Sequence, residues 1–497
     1  MRTAKTVPID EASARLLLPA SPVHIGGQFV EQASGERWQQ VYPADGKPLG
    51  EWTMAGSQEI DRAVQTARLA QLDWAAAAPG ARRDVLNRVA SAVRARSVEL
   101  AAMVSLEMGM PIRTSVAGVL AAADWFAYYA GWADKIEGLV APVSAASAVH
   151  DYAVPTPYGV VGAIIPWNGP AMALAVKIAP ALAAGNAVVL KPSEFAPFSG
   201  VAFAQVATEA GLPAGLMNVI GGGPSVGAEL CQHPGVGIIS FTGGNVVGHS
   251  VGRAAADRHV PSLLELGGKS ASLMFDDCDV VRVARLAALL GVAQNSGQGC
   301  FLPTRLLVHR RIYDQAVETV HESAKRFVLG LPFAPDTLMG PVASEASSER
   351  ILAIIDQARR DGAGRLLTGG GRPGAPLQDG YFIEPTVFVD VDPASRLANE
   401  EVFGPVLSVL PFDDEDEAIA LANGTEFGLG GYVWTENLSR AHRVARRLDA
   451  GYVSVNSMAP LPPAAPFGGW KASGHGVEGG RQGLLALMRT KNVHVAL

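Results

Sequence analysis

The sequence predicts an α/β protein made of two doubly wound parallel-sheet lobes, with a Rossmann-like first lobe. Three observations carry this. From residue 158 onward, short apolar runs alternate with segments of helical periodicity, the pattern of βαβ units. The alternation breaks at the glycine-rich junction Glu265-Leu266-Gly267-Gly268 and starts again beyond it. The chain is 497 residues long, enough for more than one domain and for a large buried core.

Taken in order, residues 56–110 place apolar side chains every three or four positions, with Ala, Arg and Glu between, and read as helical. Gly109 and Pro111 end that run, and 113–135 forms another helix. The first alternating series predicts strands at 160–165, 187–190, 217–220 and 237–240, with helices at 170–184, 198–210, 224–232 and 246–256. The second predicts strand 271–275, helix 279–295, strand 305–309 and helix 311–328. It continues with strands near 406–410, 430–434 and 452–455, and helices near 345–361, 414–422 and 437–448. Segments 138–157 and 484–497 fit neither lobe. The stretch from Thr490 to Leu497 alternates apolar and polar residues, as an edge strand does. The expected division is 1–137 with 158–266, then 267–483, then 138–157 with 484–497.

Composition excludes several functions. The chain carries 40 Lys+Arg against 47 Asp+Glu, a formal charge of -7, and no long basic run suited to nucleic acid. Its densest basic stretch, Arg440, His442, Arg443, Arg446 and Arg447, has helical spacing and reads as a solvated helix face. The three cysteines, Cys231, Cys278 and Cys300, are far apart and odd in number, against a disulfide framework or a structural zinc site; no metal is expected. The most apolar stretch runs from Ala171 to Leu190. Lys177, Pro180, Gly185 and Asn186 interrupt it, so it reads as helix, turn and strand rather than as a membrane span. Leu16-Leu17-Leu18 is too short for a signal-peptide core and is followed by Pro19. The expectation is a soluble cytoplasmic protein in a reducing compartment.

Gly297-Gln298-Gly299-Cys300 sets a thiol among glycines, and Leu264-Glu265-Leu266-Gly267-Gly268-Lys269 sets a carboxylate among them. Glycine admits close approach of backbone and ligand. A thiolate is a strong nucleophile, and a nearby carboxylate can activate water. Alone, Cys300 also reads as a small buried hydrophobe. Ligands of doubly wound sheets bind beyond the carboxyl ends of the strands, where Asn168, Lys191 and Gly243 fall. Phe241-Thr242-Gly243-Gly244 leads into a helix, with Gly248 following. Free N–H groups and the helix dipole suit a pyrophosphate there, although the Gly-x-Gly-x-x-Gly fingerprint is absent and an ordinary turn is equally open. On their own, Lys191 and Glu194, just beyond a strand end, can read as a salt-bridging loop, and Asn168 as a turn residue before a helix.

These segments occur in one order with Pro166-Trp167-Asn168, Lys191-Pro192-Ser193-Glu194, Glu401-Val402-Phe403-Gly404-Pro405-Val406 and Pro466-Phe467-Gly468-Gly469-Trp470-Lys471. Together, from about Ala20 to the C-terminus, they resemble the aldehyde dehydrogenase superfamily of NAD(P)-dependent enzymes. The resemblance implies that 1–137 with 158–266 binds NAD, that 267–483 is catalytic, and that 138–157 with 484–497 forms a small β arm that adds to a neighbouring subunit's sheet in a homodimer or homotetramer. It implies that Cys300 attacks the aldehyde, that the Asn168 side chain and the Cys300 backbone N–H hold the oxyanion, and that Glu265 activates water. Lys177 and Glu478 match positions that relay the proton of Glu265 outward. The implied cofactor residues are Ile164, Pro166, Trp167, Lys191, Ser193, Glu194, Gly223, Gly227, Phe241, Thr242, Gly243, Gly244, Leu266, Gly267, Glu401 and Phe403. The Glu194 carboxylate favours NAD, and the small Ser193 leaves NADP as a weaker alternative. Arg305 and Lys471 read as structural.

The chain departs from the family pattern on the substrate side. Gly169 replaces an aromatic residue, Ala173 and Val176 stand where bulkier groups are common, and Gln294 replaces a common phenylalanine. Phe301, Leu302, Met458, Leu461 and Phe467 supply apolar walls, and Pro462-Pro463 stiffens the loop on one side. One reading is a widened mouth for a bulky apolar aldehyde of aromatic, terpenoid or medium-chain type. The other is a rebuilt tunnel of unchanged volume. No arginine is placed to bind a distal carboxylate. A cofactor-independent thiol esterase using Cys300 is the alternative activity, against which Lys191, Glu194 and Glu401 argue. A non-enzymatic protein of the same fold is a third reading, against which intact Cys300 and Glu265 argue. Glu265 also argues against transfer of the acyl group to coenzyme A.

Overall fold

The computed structural model describes residues 8–143, 148–458 and 461–497. Both expected lobes are present. In the first sheet the strands Met217–Ile220, Ala187–Lys191, Val160–Ile164, Ile238–Thr242 and Ser262–Glu265 lie side by side in that order, all parallel. Nearly every residue in them is buried, because helices cover both faces. The helices Pro170–Ala183, Phe198–Glu209, Pro224–Gln232 and Asn245–Asp257 make the crossovers. Two additions complete an eight-stranded sheet. Val23–Ile25 and Gln28–Phe29 join one edge, and Gly474–His475 pairs antiparallel with Ser262–Glu265 at the other. That last strand comes from a segment far along the chain, so the C-terminal part folds back onto the first sheet beside Glu265.

The second sheet has seven strands, in the order Arg365–Thr368, Thr386–Val389, Val406–Phe412, Arg305–His309, Ala271–Met274, Gly430–Trp434 and Tyr452–Val455. Only the first pair is antiparallel. A third, antiparallel sheet joins Met488–Ala496, Val149–Pro157 and Leu139–Val140, with Met488–Ala496 on its edge. Residues 144–147 of the expected arm lie outside the described residues. A hairpin of Arg37–Tyr42 and Lys47–Thr53, not anticipated from sequence, stands apart from these sheets.

Three differences have clear physical causes. The helical region 56–110 is three helices, Ser57–Ala76, Pro79–Ala95 and Ser97–Met108, the second opening on a proline that suits a first turn. The helix expected over 279–295 keeps α geometry only over Val280–Ala288. It then passes into a π turn, Leu289–Ala293, and a 3₁₀ turn, Gln294–Gly297. Asn295 (φ 50°), Ser296 (φ 51°) and Gly297 (φ 73°) are left-handed, which a right-handed helix cannot continue. Of the region 311–328, regular helix covers Tyr313–Ala324. The basic stretch lies on the helix Leu438–Arg447 and is salt-bridged: Arg440 to Asp276 and Asp277, Arg443 to Glu415, and Arg447 to Asp416. Among the described residues, no helix is long and apolar enough to cross a membrane.

Candidate active site

Parallel strands bring their carboxyl ends to one side of the sheet. Pro166-Trp167-Asn168, Ser193-Glu194, Gly243-Gly244 and Leu266-Gly267 therefore emerge together, after Val160–Ile164, Ala187–Lys191, Ile238–Thr242 and Ser262–Glu265. Cys300 arrives from the second lobe, on the loop between the distorted helix end and Arg305–His309.

That loop is fixed by hydrogen bonds from both lobes. Asn168 Nδ2 donates to the Gln298 carbonyl (3.0 Å), and Asn295 Nδ2 donates to the carbonyls of Asn168 (2.6 Å) and Gln298 (2.8 Å). Gln298, itself buried, accepts from Ala343 N (3.0 Å) and donates to Asn295 O (3.1 Å). Glycine is required at 297: a Cβ there would stand 2.0 Å from the Gly404 carbonyl oxygen. Cys300 is half-buried. Burial, with the nearby charges of Glu401 and then Glu265, pushes its thiol up to about 12.

Glu265 ends its strand in the interior, 4% exposed, and its Oε2 has no hydrogen-bond partner. Burial holds its carboxyl well above the usual carboxylate range. The charge of Glu478 adds to that rise, and the charge of Lys177 opposes it. Lys177, within the apolar helix Pro170–Ala183, donates from Nζ to Glu478 Oε1 (2.6 Å) and to Ser240 Oγ (3.1 Å).

On the cofactor side a cleft of ≈ 270 Å³ runs between the lobes. Pro166, Trp167, Asn168, Thr242, Gly243, Gly244, Leu266, Gly267, Glu401 and Phe403 line it, and Cys300 opens into it. The helix Asn245–Asp257 starts at its wall with Gly244 as N-cap. No side chain caps it, and a Cβ on Gly244 would meet nothing within 4 Å, which leaves backbone N–H groups open to an anion. Glu401 Oε1 accepts from Gly268 N (2.8 Å), and a Cβ at Gly267 would stand 2.6 Å from Glu401 Oε2, so only glycine lets that carboxylate reach this position. Phe403, at φ 52°, packs edge-on against Trp167 with centroids 5.3 Å apart. Lys191 Nζ lies 3.3 Å from Glu194 Oε2, and Ser193 Oγ lies 3.5 Å from the same oxygen. Burial lowers the Lys191 ammonium's pKa, against the pull of Glu194. Gly223 caps the helix Pro224–Gln232. A Cβ on Gly227 would touch Ile164 and Lys191 at 3.9 Å, which puts both side chains beside that helix. Phe241 is buried, and its ring packs against the backbone at Gly243. An uncapped helix N-terminus and the Glu401 carboxylate on the cleft wall, with a paired lysine and glutamate at the end of a strand of the same sheet, fit a dinucleotide.

The same fold recurs in proteins of known structure. The family model described as the aldehyde dehydrogenase family matches residues 29–493. The chain belongs to the aldehyde dehydrogenase family. PnpE from Pseudomonas sp. WBC-3 is 38% identical, with TM-score 0.93 over 96% of this chain and 97% of that chain, and PnpE has also been solved with nicotinamide adenine dinucleotide. An aldehyde dehydrogenase from Bacillus cereus in complex with NAD+ is 36% identical, with TM-score 0.92 over 96% of each chain. Betaine aldehyde dehydrogenase from Staphylococcus aureus, also with NAD+, is 34% identical, with TM-score 0.94 over 98% of this chain and 97% of that chain.

The residues expected on the substrate side lie on several elements of the chain. Gly169 has an extended backbone (φ -169°), and a Cβ added there would meet nothing within 4 Å. Ala173 is half-buried and Val176 buried on the helix that Gly169 caps, while Gln294 is exposed. Phe301 meets Phe467 edge-on at 6.3 Å, and Phe467 meets Tyr452 at 6.0 Å. Leu461 packs against the core of the first lobe. Tyr432 Oη donates to the Phe301 carbonyl (2.7 Å). Arg305 donates to the carbonyls of Lys269, Leu421 and Ala422, and Lys471 to those of Asn423 and Thr425. Sequence reasoning missed Asn295 and Gln298, which hold the Cys300 loop, and Ser347 and Arg350, which line the cleft from the helix Glu345–Arg360. Nothing in their local sequence distinguishes them from surface polar residues.

Proposed function

We propose that the protein oxidises a bulky, mostly apolar aldehyde to its carboxylic acid with NAD+, through a covalent intermediate on Cys300. The observation that carries this is the single cleft into which Cys300, Asn168, the uncapped Gly244 helix end and Glu401 all open. Lys191 and Glu194 would hold the adenosine ribose, the backbone at Gly243-Gly244 the pyrophosphate, and Glu401 and Phe403 the nicotinamide end. NAD bound there supplies the hydride acceptor.

The chain's own groups do the rest. The Cys300 thiol gives its proton to solvent water, and the thiolate sulfur adds to the aldehyde carbon. The Asn168 amide and the Cys300 backbone N–H stabilise the resulting oxyanion, each such donor contributing about 3 kcal/mol. After oxidation to the thioester, Glu265 takes a proton from water as that water attacks the acyl carbon. The carboxylic acid and the Cys300 thiolate separate, and the thiolate takes a proton back from solvent water. The Lys177–Glu478 pair receives the proton of Glu265 on its way out. Glu194 favours NAD over NADP by repelling a 2′-phosphate.

The open space at Gly169 and the Phe301–Phe467–Tyr452 aromatic wall support a bulky apolar substrate. The arm that ends in Met488–Ala496, with Leu139 and Val140 each 65% exposed, joins copies of the chain. A panel of aldehydes followed by NADH absorbance tests the proposal. Aromatic and medium-chain aldehydes should exceed acetaldehyde, and Cys300→Ala should abolish turnover while NAD still binds. Substantial turnover by the purified mutant would contradict it.

A further inference from the structure

We propose that the hairpin 37–53 clamps the cofactor-reading loop 191–198, with Gln40 as a positioning residue for the adenosine end of NAD. This rests on the reading of Lys191 and Glu194 as ribose ligands. An isolated two-stranded hairpin is marginal in water, so this one must be held by what it packs against. Gln40 is 3% exposed and donates from Nε2 to the Phe195 carbonyl at 2.9 Å. Its amide is fixed by Trp38, whose Nε1 donates to Gln40 Oε1 at 3.2 Å, and the Trp38 ring meets the Phe195 ring edge-on at 5.7 Å. Phe195 N in turn donates to Ser193 Oγ (3.3 Å), beside the Glu194 carboxylate. The loop's other end is pinned as well. Trp52 of the same hairpin packs edge-on against Phe198 at 4.5 Å, and the buried Glu107 carboxylate accepts from the N–H groups of Phe198 and Ser199.

The hairpin's tip is tied to the second lobe. Tyr381 N donates to the Pro43 carbonyl (2.9 Å), and the Tyr381 carbonyl accepts from Val342 N (3.0 Å), next to Ala343, which holds Gln298. One element therefore grips the adenosine loop and the framework that supports the Cys300 loop. Loosening it should weaken the grip on the adenosine end without touching the groups that do chemistry.

The test is calorimetric binding of 5′-AMP and of NAD+ to wild type and to Gln40→Leu, with kcat and KM measured on one good aldehyde. The expected result is a rise of about tenfold in Kd for both ligands, the loss of one buried hydrogen bond at the loop, with kcat at saturating NAD+ within about twofold. Trp38→Leu should shift both Kd values in the same direction by less, and it serves if Gln40→Leu does not fold. Unchanged Kd values in the folded variants would overturn the inference, as would a fall in kcat matching that in kcat/KM. A wild-type protein that binds neither 5′-AMP nor NAD+ would instead overturn the ribose reading of Lys191 and Glu194.

Discussion

Lys177 Nζ and Glu478 Oε1 meet at 2.6 Å in the interior, with Ser240 Oγ as the lysine's second partner, and Glu265 feels the charge of both. The two charges act on Glu265 in opposite senses, and that of Glu478 is the larger. Removing it should ease ionisation of Glu265. In Glu478→Gln the acidic limb of the pH–rate profile for thioester hydrolysis should therefore move to lower pH. A limb that stays put, or moves to higher pH, would detach Glu478 from the base.

Cys300 lies among buried carboxylates, with its thiol pushed up to about 12 in the free protein. Alkylation by iodoacetamide, read by mass spectrometry of the Cys300 peptide, should be slow at pH 7 and should rise about tenfold per pH unit without a plateau below pH 10. Glu401→Gln removes the carboxylate whose charge raises the thiol more, and should speed labelling at any fixed pH. A plateau below pH 9 would show a thiolate already stabilised in the free protein.

Lys191 and Glu194 form an ion pair at 3.3 Å on a loop with little exposure for the lysine. Wild type should prefer NAD to NADP in kcat/KM, and Glu194→Gln should narrow the ratio by about tenfold, or 1.4 kcal/mol. A wild-type preference for NADP would reverse the reading of this loop.

At Gly169 the backbone is extended and the space beyond Cα is open, so a larger side chain enters without backbone strain. Gly169→Phe should lower kcat/KM for aromatic or medium-chain aldehydes by about tenfold while leaving acetaldehyde nearly unchanged, since each CH₂ no longer buried removes about 0.8 kcal/mol. An unchanged size preference would mean the substrate passes elsewhere.

The parts of the fold that sequence reveals are those where one interaction dominates. Val160–Ile164 and Ala187–Lys191 are buried on both faces, so they read as short unbroken apolar runs, and the residues after them fall together because parallel strands share an end. The edge strands Gln28–Phe29 and Gly474–His475 are two residues long and have no periodicity to read. Thr386–Val389 is apolar and buried, yet Gly380, Pro385 and Asp390 surround it with turn signals. Leu289–Ala293 has the same apolar texture as the helix before it, so its π turn leaves no trace, and Asn295 and Ser296 are left-handed although neither is a glycine. Gln40, Asn295, Gln298 and Arg350 act through partners distant in sequence, a relationship that one chain of letters does not display.

The most direct measurement uses Glu265→Gln, mixed rapidly with NAD+ and an aromatic aldehyde. The variant keeps the Cys300 thiol and the cofactor cleft but lacks the base for thioester hydrolysis, which should slow turnover by about 10²-fold or more. The account predicts a burst of one NADH per active site followed by near silence, with an acyl mass that persists on the Cys300 peptide. NADH formation at the wild-type steady rate, or a burst with no acyl mass on Cys300, would contradict it.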